Sequence, residues 1–320
     1  MKGNYKLMVS DAVNRLFRNI NIKLDNIQTS NSKIENSINS LTGNLGKPEC
    51  RTITISDKLA LTRLFNDMSI YLDPQDVAVA PHIMFEGVWE AEQTKAWMSV
   101  LDSGQTIFDV GANFGYYGIL AAGVRFKINQ KVYFFEANPD LIPLITKSLS
   151  VNGVHKICKI ENCGIDEKKG HAKLTVLHDF VGCSSLHSTS HLEGYLQDRM
   201  PIQAEKIINI QTISLDDYCS ENKIKKVDLI KLDIEGYEER AYRGMTLIVK
   251  NSPSLILFIE FTRLSYVDPI EFYKRLRKDF NYLYLINSEG GLYQPESCEY
   301  DDLIGNSEEY KMLVFSKKSI

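Results

Sequence analysis

Residues 106–122 read Thr106-Ile-Phe-Asp-Val-Gly-Ala-Asn-Phe-Gly-Tyr-Tyr-Gly-Ile-Leu-Ala-Ala122. A short apolar run ends in Asp109-Val110, a glycine-containing turn follows, and an apolar segment of helical length comes next. Glycines where a strand turns into a helix let the backbone approach a ligand closely, and a helix N-terminus favours negatively charged groups. The spacing is not the G-x-G-x-x-G of dinucleotide-binding proteins, because no third glycine is in place to cradle a pyrophosphate. The segment predicts a strand, a ligand-binding turn and a helix.

The next apolar run, Val132-Tyr-Phe-Phe-Glu136, ends in an acidic residue 27 positions after Asp109. A carboxylate at the tip of the second strand can accept hydrogen bonds from both ribose hydroxyls of an adenosine-containing cofactor. An ordinary solvated residue at a strand end is the alternative, and the glycine turn beside it makes that alternative weaker. We therefore predict that Glu136 binds a ribose.

From Thr106 onward, short apolar runs alternate with amphipathic segments of helical length. This alternation is typical of a mostly parallel sheet covered by helices on both faces. Residues 170–211 break the rhythm, and we interpret them as an insertion near the functional site, with a strand at 173–177. Between Ile53 and Trp97 the pattern is weaker, and it predicts a helix near Asp57–Asn66. The other predicted strands are 106–110, 131–136, 157–161, 227–233, 254–260, 282–286 and 311–316.

Acidic residues follow the predicted strand 227–233, where the sequence continues Asp233-Ile-Glu-Gly-Tyr-Glu238. Glu260 ends the following apolar strand, and ligands of an open α/β sheet bind at that edge. Several carboxylates in one crevice repel each other, so they need a shared proton, a metal ion or hydrogen bonds to substrate hydroxyls. The alternative is that Asp233 and Glu235 cap the next helix, and this role is compatible with a function in the crevice.

The composition is that of an ordinary soluble globular protein, and its charge gives no positive indication of a broad nucleic-acid-binding surface. The 320 residues are 44% hydrophobic and 24% charged, with a formal net charge of −4. No block of lysine and arginine forms the basic face that displaces counterions from nucleic acid. The six cysteines contain no C-x-x-C pair, which predicts reduced thiols. Because the sequence has neither a signal-peptide core nor roughly 18 consecutive apolar residues, we expect a cytoplasmic protein; peripheral association with a membrane-bound assembly stays open.

The first 48 residues carry a different pattern. Apolar residues alternate in steps of four and three from Val13 to Leu45, with Asn31 at the one polar step. This heptad pattern predicts a coiled-coil helix, and its narrow stripe would be marginal without a partner. We predict that residues 13–45 assemble copies of this chain into a homo-oligomer. The residues at the core positions of the heptads do not determine how many chains it contains. Packing of the helix against the rest of its own chain is the alternative.

The sequence resembles the FkbM family of methyltransferases over roughly residues 85–320. The order and gaps of the matching motifs are more specific than any one motif. Cys163 departs from the pattern, which favours a residue nearer alanine, and the family does not as a rule include a coiled coil. The motifs are Trp89-Glu90, Asp109-Val-Gly-Ala-Asn-Phe-Gly-Tyr-Tyr117, Phe135-Glu-Ala-Asn-Pro139, Asn162-Cys-Gly-Ile165, Gly182-Cys-Ser-Ser-Leu186, Thr212-Ile-Ser-Leu-Asp-Asp217, Ile230-Lys-Leu-Asp-Ile-Glu-Gly236 and Ile259-Glu260.

The resemblance implies an α/β fold, a Rossmann-like class I methyltransferase domain with a mostly parallel sheet, here preceded by the N-terminal coiled-coil helix. Together with the heptad pattern, which alone predicts the first part, it divides the chain into a coiled coil at 1–48, a linker and lead-in at 49–95, and the methyltransferase domain at 96–320. The implied cofactor is S-adenosylmethionine (SAM). The candidate cofactor-binding residues are Asp109, Gly111, Ala112, Asn113, Gly115, Glu136, Asn138 and Asn162.

The resemblance also implies methylation of oxygen, often on sugar-containing molecules. An alcohol is a poor nucleophile until it loses its proton, so a base or a metal is required. The candidate catalytic residues are Asp233, Glu235 and Glu260. Either one carboxylate is the base, or Asp233 and Glu260 hold a divalent cation that lowers the pKa of the hydroxyl. A protein or RNA acceptor, or a non-catalytic assembly protein built on the coiled coil, are the alternatives.

Two further groups of residues have less specific interpretations. His178, His187 and His191 lack an evident acidic or cysteine third ligand, so solvated loop histidines are favoured over a metal site. Trp89 and the pair Tyr116-Tyr117 suit either the wall of a pocket or the core.

Overall fold

A computed structural model describes residues 52–123, 129–177, 204–305 and 310–320. The predicted coiled coil, the three histidines at 178, 187 and 191, and the motif at 182–186 lie outside these residues. Within them, the chain forms one large sheet, two small sheets and the helices that cover them. None of these helices is both long enough and apolar enough to cross a membrane.

The strands are β1 (Thr52–Ser56), β2 (Leu59–Arg63), β3 (Ser69–Leu72), β4 (Thr106–Val110), β5 (Lys131–Phe135), β6 (Cys158–Glu161), β7 (Gly164–Ile165), β8 (Gly170–Leu177), β9 (Ala204–Ile213), β10 (Leu229–Leu232), β11 (Ile256–Phe261), β12 (Tyr282–Ile286), β13 (Leu292–Tyr293) and β14 (Lys311–Ser316). The helices are α1 (Ala80–Glu86), α2 (Ala91–Val100), α3 (Tyr116–Ala122), α4 (Ile142–Val151), α5 (Leu215–Glu221), α6 (Glu238–Arg243), α7 (Thr246–Asn251), α8 (Pro269–Asp279) and α9 (Tyr300–Leu303). A 3-10 turn spans Arg263–Ser265.

The large sheet has eight strands in the order β13-β12-β14-β11-β10-β4-β5-β6. Strands β4, β5, β6, β10 and β11 run parallel, whereas β14 runs antiparallel to both β11 and β12. From β4 the chain first builds outward through β5 and β6, and later builds in the other direction through β10 and β11. This confirms the predicted α/β fold with a mostly parallel sheet. The order reverses between β4 and β10, which is where open sheets of this class bind ligands.

The two faces of the sheet hold separate cores, because successive side chains of a strand point to opposite sides. Ile107 of β4 belongs to the cluster that contains Trp97 of α2. Its neighbour Phe108 belongs to the opposite cluster, which contains Tyr218 of α5 and Tyr242 of α6. Burial of both faces explains why β4 and β10 are apolar on both sides, apart from Asp109 and Lys231 near their carboxyl ends.

The helix predicted near Asp57–Asn66 is wrong. The segment belongs to an antiparallel meander of β1, β2 and β3. Buried residues alternate along these strands, at Ala60 and Thr62 in β2 and at Ile70 and Leu72 in β3. That period of two suits a strand with one face on the core, and the turn between β2 and β3 outweighs any local preference for helix.

The meander is tied to the large sheet through helix α4. The backbone N–H groups of Ser69 and Tyr71 donate to Asn152 Oδ1 and Ser148 Oγ, each over 2.8 Å. Leu72 also belongs to the same buried cluster as helix α3. The described residues 52–95 are therefore packed onto one face of the sheet.

The interval 170–211 includes β8 and most of β9, which pair with each other in a separate sheet, and β9 also pairs with the short β7. The predicted strand at 173–177 lies within β8. Leu174, Val176 and Ile210 form a small apolar cluster of this sheet, and Ala137 packs against it. Since Ala137 follows the carboxyl end of β5 and Glu136, the inserted sheet lies beside the ligand-binding edge.

Candidate active site

The carboxyl ends of β4 and β10 bring the glycine turn against the acidic loop. The strand ladder pairs Asp109 with Lys231, and the N–H of Asp233 donates to the carbonyl of Val110 over 3.1 Å. Gly111 follows with φ of 78°, and a Cβ on it would lie 1.8 Å from the carbonyl oxygen of Asp233. Glycine is therefore required here by the approach of the protein's own backbone.

Asp109 is buried at the end of β4, where it caps helix α3. The N-cap residue of that helix is Gly115, which has φ of 84° and no side chain. Asp109 Oδ2 accepts a hydrogen bond from the N–H of Gly118 over 2.8 Å, so the carboxylate satisfies a donor of the first helical turn. Burial raises the pKa of Asp109 to about 7, although the positive charge of Lys231 and the Gly118 hydrogen bond act in the opposite direction.

Glu136 connects the glycine turn to the segment after β5. Its Oε2 accepts from the N–H of Asn113 and its Oε1 from the N–H of Asn138, each over 2.7 Å. Asn162 Nδ2 donates to the carbonyl of Glu136 over 2.9 Å. Burial raises the pKa of Glu136 to about 7 against the effect of these backbone hydrogen bonds. Each carboxylate oxygen keeps a further lone pair, so ribose hydroxyls can still donate to it.

The predicted cofactor residues thus meet around one edge of the sheet. Ala112 joins them through its N–H, which donates to the carbonyl of Phe135 over 3.0 Å. The Nδ2 of Asn138 is buried and has no hydrogen-bond partner among the described residues. An unmade hydrogen bond on a buried donor costs free energy, and an acceptor atom of a bound ligand would remove that cost. The residues present therefore fit a nucleoside-type ligand.

Glu238 shapes the acidic loop. Its Oε1 accepts from the N–H of Ile234 over 2.9 Å and from the N–H of Gly236 over 3.1 Å. Its Oε2 accepts from the hydroxyl of Tyr266 over 2.9 Å. These bonds hold a segment in which Glu235 has φ of 54°, a left-handed conformation that is costly for a glutamate.

The structure brings the three predicted catalytic residues, Asp233, Glu235 and Glu260, into one acidic cluster with Glu238. Carboxylate oxygens of Asp233, Glu238 and Glu260 lie within 4.8 Å of one another. Burial raises the pKa of Glu235 to about 8, and the negative charge of Asp233 adds to the effect. The same two causes hold the pKa of Glu260 well above its ordinary value. Glu235 is therefore held toward its protonated form near neutral pH, and burial and the charge of Asp233 shift the pKa of Glu260 in the same direction.

Lys231 is a residue of this edge that the sequence reasoning missed. Its Nζ lies 2.5 Å from Asp233 Oδ2 and 4.5 Å from the centre of the Tyr117 ring, and its side chain is 6% exposed. Burial disfavours the ammonium, but the attraction of Asp233, Glu90 and Asp109 outweighs it and raises the pKa of Lys231. The sequence could have indicated this residue. Side chains two residues apart on a strand point to the same face, so Lys231 lies on the face of the predicted strand 227–233 that carries Asp233.

Glu90 is the second residue of the site that the sequence did not identify as a candidate, because it was noted only as part of the motif Trp89-Glu90. It precedes helix α2 with φ of 44°. The hydroxyl of Tyr117 donates to its Oε2 over 2.8 Å, and Gln93 Nε2 donates to its Oε1 over 3.0 Å. Burial raises the pKa of Glu90, while the positive charge of Lys231 lowers it. The carboxylates of Glu90, Asp109 and Asp233 thus surround a single buried ammonium.

The aromatic candidates have different surroundings. Tyr116 and Tyr117 are 3% and 5% exposed and belong to the core. Tyr117 lies edge-on to Trp97 with ring centres 5.7 Å apart, while its hydroxyl reaches Glu90. Trp89 is partly buried and lies 5.4 Å from the ring of His82. The tyrosine pair is therefore the inner wall of the site rather than an open surface.

Known proteins resemble the chain over this same region. Residues 109–284 match the family model of the methyltransferase FkbM domain, more than half of the chain. The 31-O-demethyl-FK506 methyltransferase FkbM of Streptomyces tacrolimicus is 24% identical over 168 residues, which cover 45% of this chain and 61% of the relative. The hexuronic acid methyltransferase AglP of Haloferax volcanii is 22% identical over 171 residues, which cover 50% of this chain and 61% of that relative. The chain therefore spans about three fifths of the length of the curated relatives that it matches.

A solved structure with a similar fold is methyltransferase FkbM from Methylobacillus flagellatus. The match has a TM-score of 0.40 and 15% identity, and covers 68% of this chain and 45% of that chain. The match to the family extends from Asp109 at the end of β4 through the acidic loop to Tyr284 in β12. It therefore includes both halves of the candidate site. The chain belongs to the FkbM methyltransferase family, whose domain model it matches over residues 109–284.

Proposed function

We propose that this protein is an O-methyltransferase that moves the methyl group of SAM to a hydroxyl of its acceptor. The observation that carries the proposal is the position of Glu136, a buried carboxylate held by the N–H groups of Asn113 and Asn138. It lies at the end of β5, and the acidic cluster lies at the ends of β10 and β11, on the far side of β4. A cofactor-binding acid and a set of reactive acids thus flank the switch point of the sheet.

In the proposed complex, the ribose of SAM binds Glu136 and the amino-acid end lies near Asp109 and Gly111. The buried Nδ2 of Asn138 supplies a donor that has no partner within the described residues. Asn162 lies next to Glu136 through its hydrogen bond to the Glu136 carbonyl, on the side proposed for the adenine. The negative potential of the edge suits a ligand whose sulfonium is positively charged.

The proposed chemistry is an in-line displacement. SAM supplies an activated methyl group, so the protein's task is to position the acceptor oxygen and to remove its proton. Asp233, Glu235 and Glu260 are the proposed catalytic residues. Because the pKa of Glu235 is raised to about 8, this residue suits hydrogen bonding to acceptor hydroxyls better than proton removal, and the raised pKa of Glu260 favours the same role.

A sugar hydroxyl of a polysaccharide or of a glycosylated metabolite is the proposed acceptor. The family match supports it, and one relative is named as a methyltransferase of hexuronic acid. The net charge of −4 argues against an RNA acceptor, which would need a basic contact surface. A protein acceptor is the other alternative.

The test is methyl transfer from labelled SAM to separated fractions of glycans, glycosylated metabolites, protein and RNA. We expect label in a carbohydrate-containing fraction, and loss of that label after treatment that cleaves glycosidic bonds. Label confined to protein or RNA would contradict the proposed carbohydrate acceptor. SAM binding without transfer to any fraction would contradict the proposed methyltransferase activity.

We also propose that residues 13–45 assemble the protein into a homo-oligomer, that residues 1–48, 49–95 and 96–320 are its three parts, and that it works in the cytoplasm. The heptad pattern supports the first two statements. The assembly would set the local concentration of catalytic domains at a shared acceptor, since linked sites raise effective concentration.

A further inference from the structure

Lys231 is unusual because a long cationic side chain is buried within the acidic edge of a sheet. Its side chain is 6% exposed, whereas Lys226, which precedes the other end of the same strand, is 62% exposed. Burial of an ammonium is expensive unless opposite charges and hydrogen bonds compensate it. Here the ion pair with Asp233 over 2.5 Å and the face of the Tyr117 ring at 4.5 Å supply that compensation.

The strand register fixes this arrangement. In the large sheet Lys231 lies opposite Asp109 of β4 and opposite Phe258 of β11. Asp233 follows two residues later, one residue past the end of β10, where its N–H still donates to the carbonyl of Val110 over 3.1 Å. The end of the sheet therefore anchors the backbone of both members of the pair.

The neighbouring acids do not need a metal ion. The oxygens of Asp233, Glu238 and Glu260 are close enough, within 4.8 Å, for a divalent cation to bridge them. Both oxygens of Glu238, however, already accept three hydrogen bonds that hold the loop. Asp233 already binds the ammonium of Lys231. Asp233 and Glu238 therefore keep only part of their acceptor capacity beside Glu260, and the ammonium of Lys231 already supplies a positive charge where a divalent cation would otherwise be needed.

We propose that Lys231 is a positioning residue that orients Asp233 as the catalytic base and occupies the electrostatic place of a divalent cation. The inference rests on the proposed O-methyl transfer. In that reaction the acceptor hydroxyl gives its proton to Asp233 and its oxygen forms the new bond to the methyl carbon. The carbon–sulfur bond breaks, its electron pair stays on sulfur, and the proton later leaves Asp233 for solvent. Lys231 acts through Asp233 and does not touch the acceptor.

The test compares Lys231→Met, Lys231→Arg and the control Lys226→Met. The control removes another lysine that pairs with an aspartate two residues away, Asp228, at the opposite end of the same strand. For Lys231→Met we expect turnover to fall at least about 10-fold, below the 10²–10⁴-fold that a general base typically contributes. SAM affinity should stay within about 3-fold of wild type, because removing an interaction confined to the transition state lowers kcat rather than binding. Lys231→Arg should recover part of the turnover, and Lys226→Met should behave as wild type.

A second measurement uses Mn²⁺ alone and needs no activity. We expect no binding of Mn²⁺ to the wild-type protein up to about 1 mM, the weak end for protein sites of hard cations. We also expect no loss of turnover with a chelator. Tighter binding of Mn²⁺ by the wild type together with loss of turnover on chelation would overturn the inference, as would full turnover in Lys231→Met. An equal loss in Lys226→Met would also overturn it, because the effect would then be one of stability.

The two proposals fail in different ways. If the wild type binds SAM but transfers no methyl group to any fraction, the proposed function fails, while Mn²⁺ binding still decides whether Lys231 replaces a metal. If Lys231→Met does not fold, Lys231→Arg and the wild-type Mn²⁺ titration decide the matter. Activity that needs a metal in the wild type contradicts the inference and leaves O-methyl transfer intact.

Discussion

Gly111 and Asp233 meet through their backbones, since a Cβ on Gly111 would lie 1.8 Å from the carbonyl oxygen of Asp233. Gly111 begins the turn proposed to bind SAM, and Asp233 begins the acidic loop. The contact therefore fixes the separation between the turn proposed to bind the methyl donor and the loop proposed to prepare the acceptor. A shift in one half of the site is passed directly to the other, because packed backbones leave no room for independent movement.

The contact predicts that Gly111→Ala is severely destabilising. The change adds a backbone clash to a φ of 78°, and we expect a loss of roughly 2–6 kcal/mol from strain and overpacking together. Gly153→Ala is the matched control, because Gly153 has φ of 68° and nothing lies within 4 Å of its added Cβ. Denaturant unfolding of both variants measures the difference. Equal losses of unfolding free energy in the two variants would show that the left-handed backbone conformation alone causes the loss and that the backbone at Asp233 moves to accommodate the added Cβ.

Replacing Glu136 by Ala should weaken SAM binding. The ribose hydroxyls would lose a charge-assisted partner, a loss of about 1.5–3 kcal/mol, and the N–H groups of Asn113 and Asn138 would lose their acceptor as well. Calorimetric titration with SAM measures the effect. Asp140→Asn is the control, because Asp140 is an exposed acid of the same segment whose side chain pairs with Lys206. Undiminished affinity in Glu136→Ala would show that the ribose binds elsewhere.

Amide variants of the acidic cluster should separate catalysis from binding. We expect Asp233→Asn to lower turnover about 10²-fold or more while SAM still binds, because a general base contributes at that level. Glu235→Gln and Glu260→Gln should lower turnover less, since the raised pKa of both residues favours the protonated acid, which donates a hydrogen bond as glutamine does. Single-turnover rates and SAM titrations of the three variants measure the split. Full turnover in all three variants would remove these acids from the mechanism.

The buried acids also predict how stability depends on pH. Burial and the charge of Asp233 raise the pKa of Glu235 from 4.5 to about 8. Between those values the folded protein holds a proton that the unfolded chain has lost, so this contribution is complete below pH 4.5 and is lost as the pH rises through 8. Thermal unfolding should therefore occur at lower temperature at pH 8.5 than at pH 6. Glu235→Gln should reduce that decline, whereas Glu296→Gln, at an exposed position, should leave it unchanged. A decline of the same size in Glu235→Gln would contradict the assignment.

The sequence predicted the central strands because each is a short apolar run bounded by polar residues, and β4, β12 and β14 coincide with their predicted bounds. It predicted the acidic cluster because residues after parallel strands meet at one edge. It could not show that the carboxylate of Glu238 accepts hydrogen bonds from the backbone of the acidic loop, since these bonds depend on the three-dimensional path of residues 234–236. The meander of β1 to β3 was missed because its alternation is short and its partner helix α4 lies far along the chain.

The last prediction concerns the N-terminal heptads, which lie outside the described residues. The seam from Val13 to Leu45 would extend about 50 Å as a helix. Burial of its apolar residues in a partner would contribute on the order of 10 kcal/mol before the loss of conformational entropy is subtracted. Deletion of residues 1–48 should therefore give a smaller species that still binds SAM, because the proposed cofactor residues all lie beyond Trp97.

Asn31 gives the matched variant for that assembly. In a coiled coil it would lie among apolar neighbours, where only another asparagine or water can satisfy its amide. Asn31→Leu should therefore raise thermal stability while allowing more than one oligomeric state. Light scattering of the full-length protein, the deletion and Asn31→Leu measures mass directly. A full-length monomer at micromolar concentration would mean that the helix packs against its own chain, because a seam of this length paired with a second copy would not dissociate there.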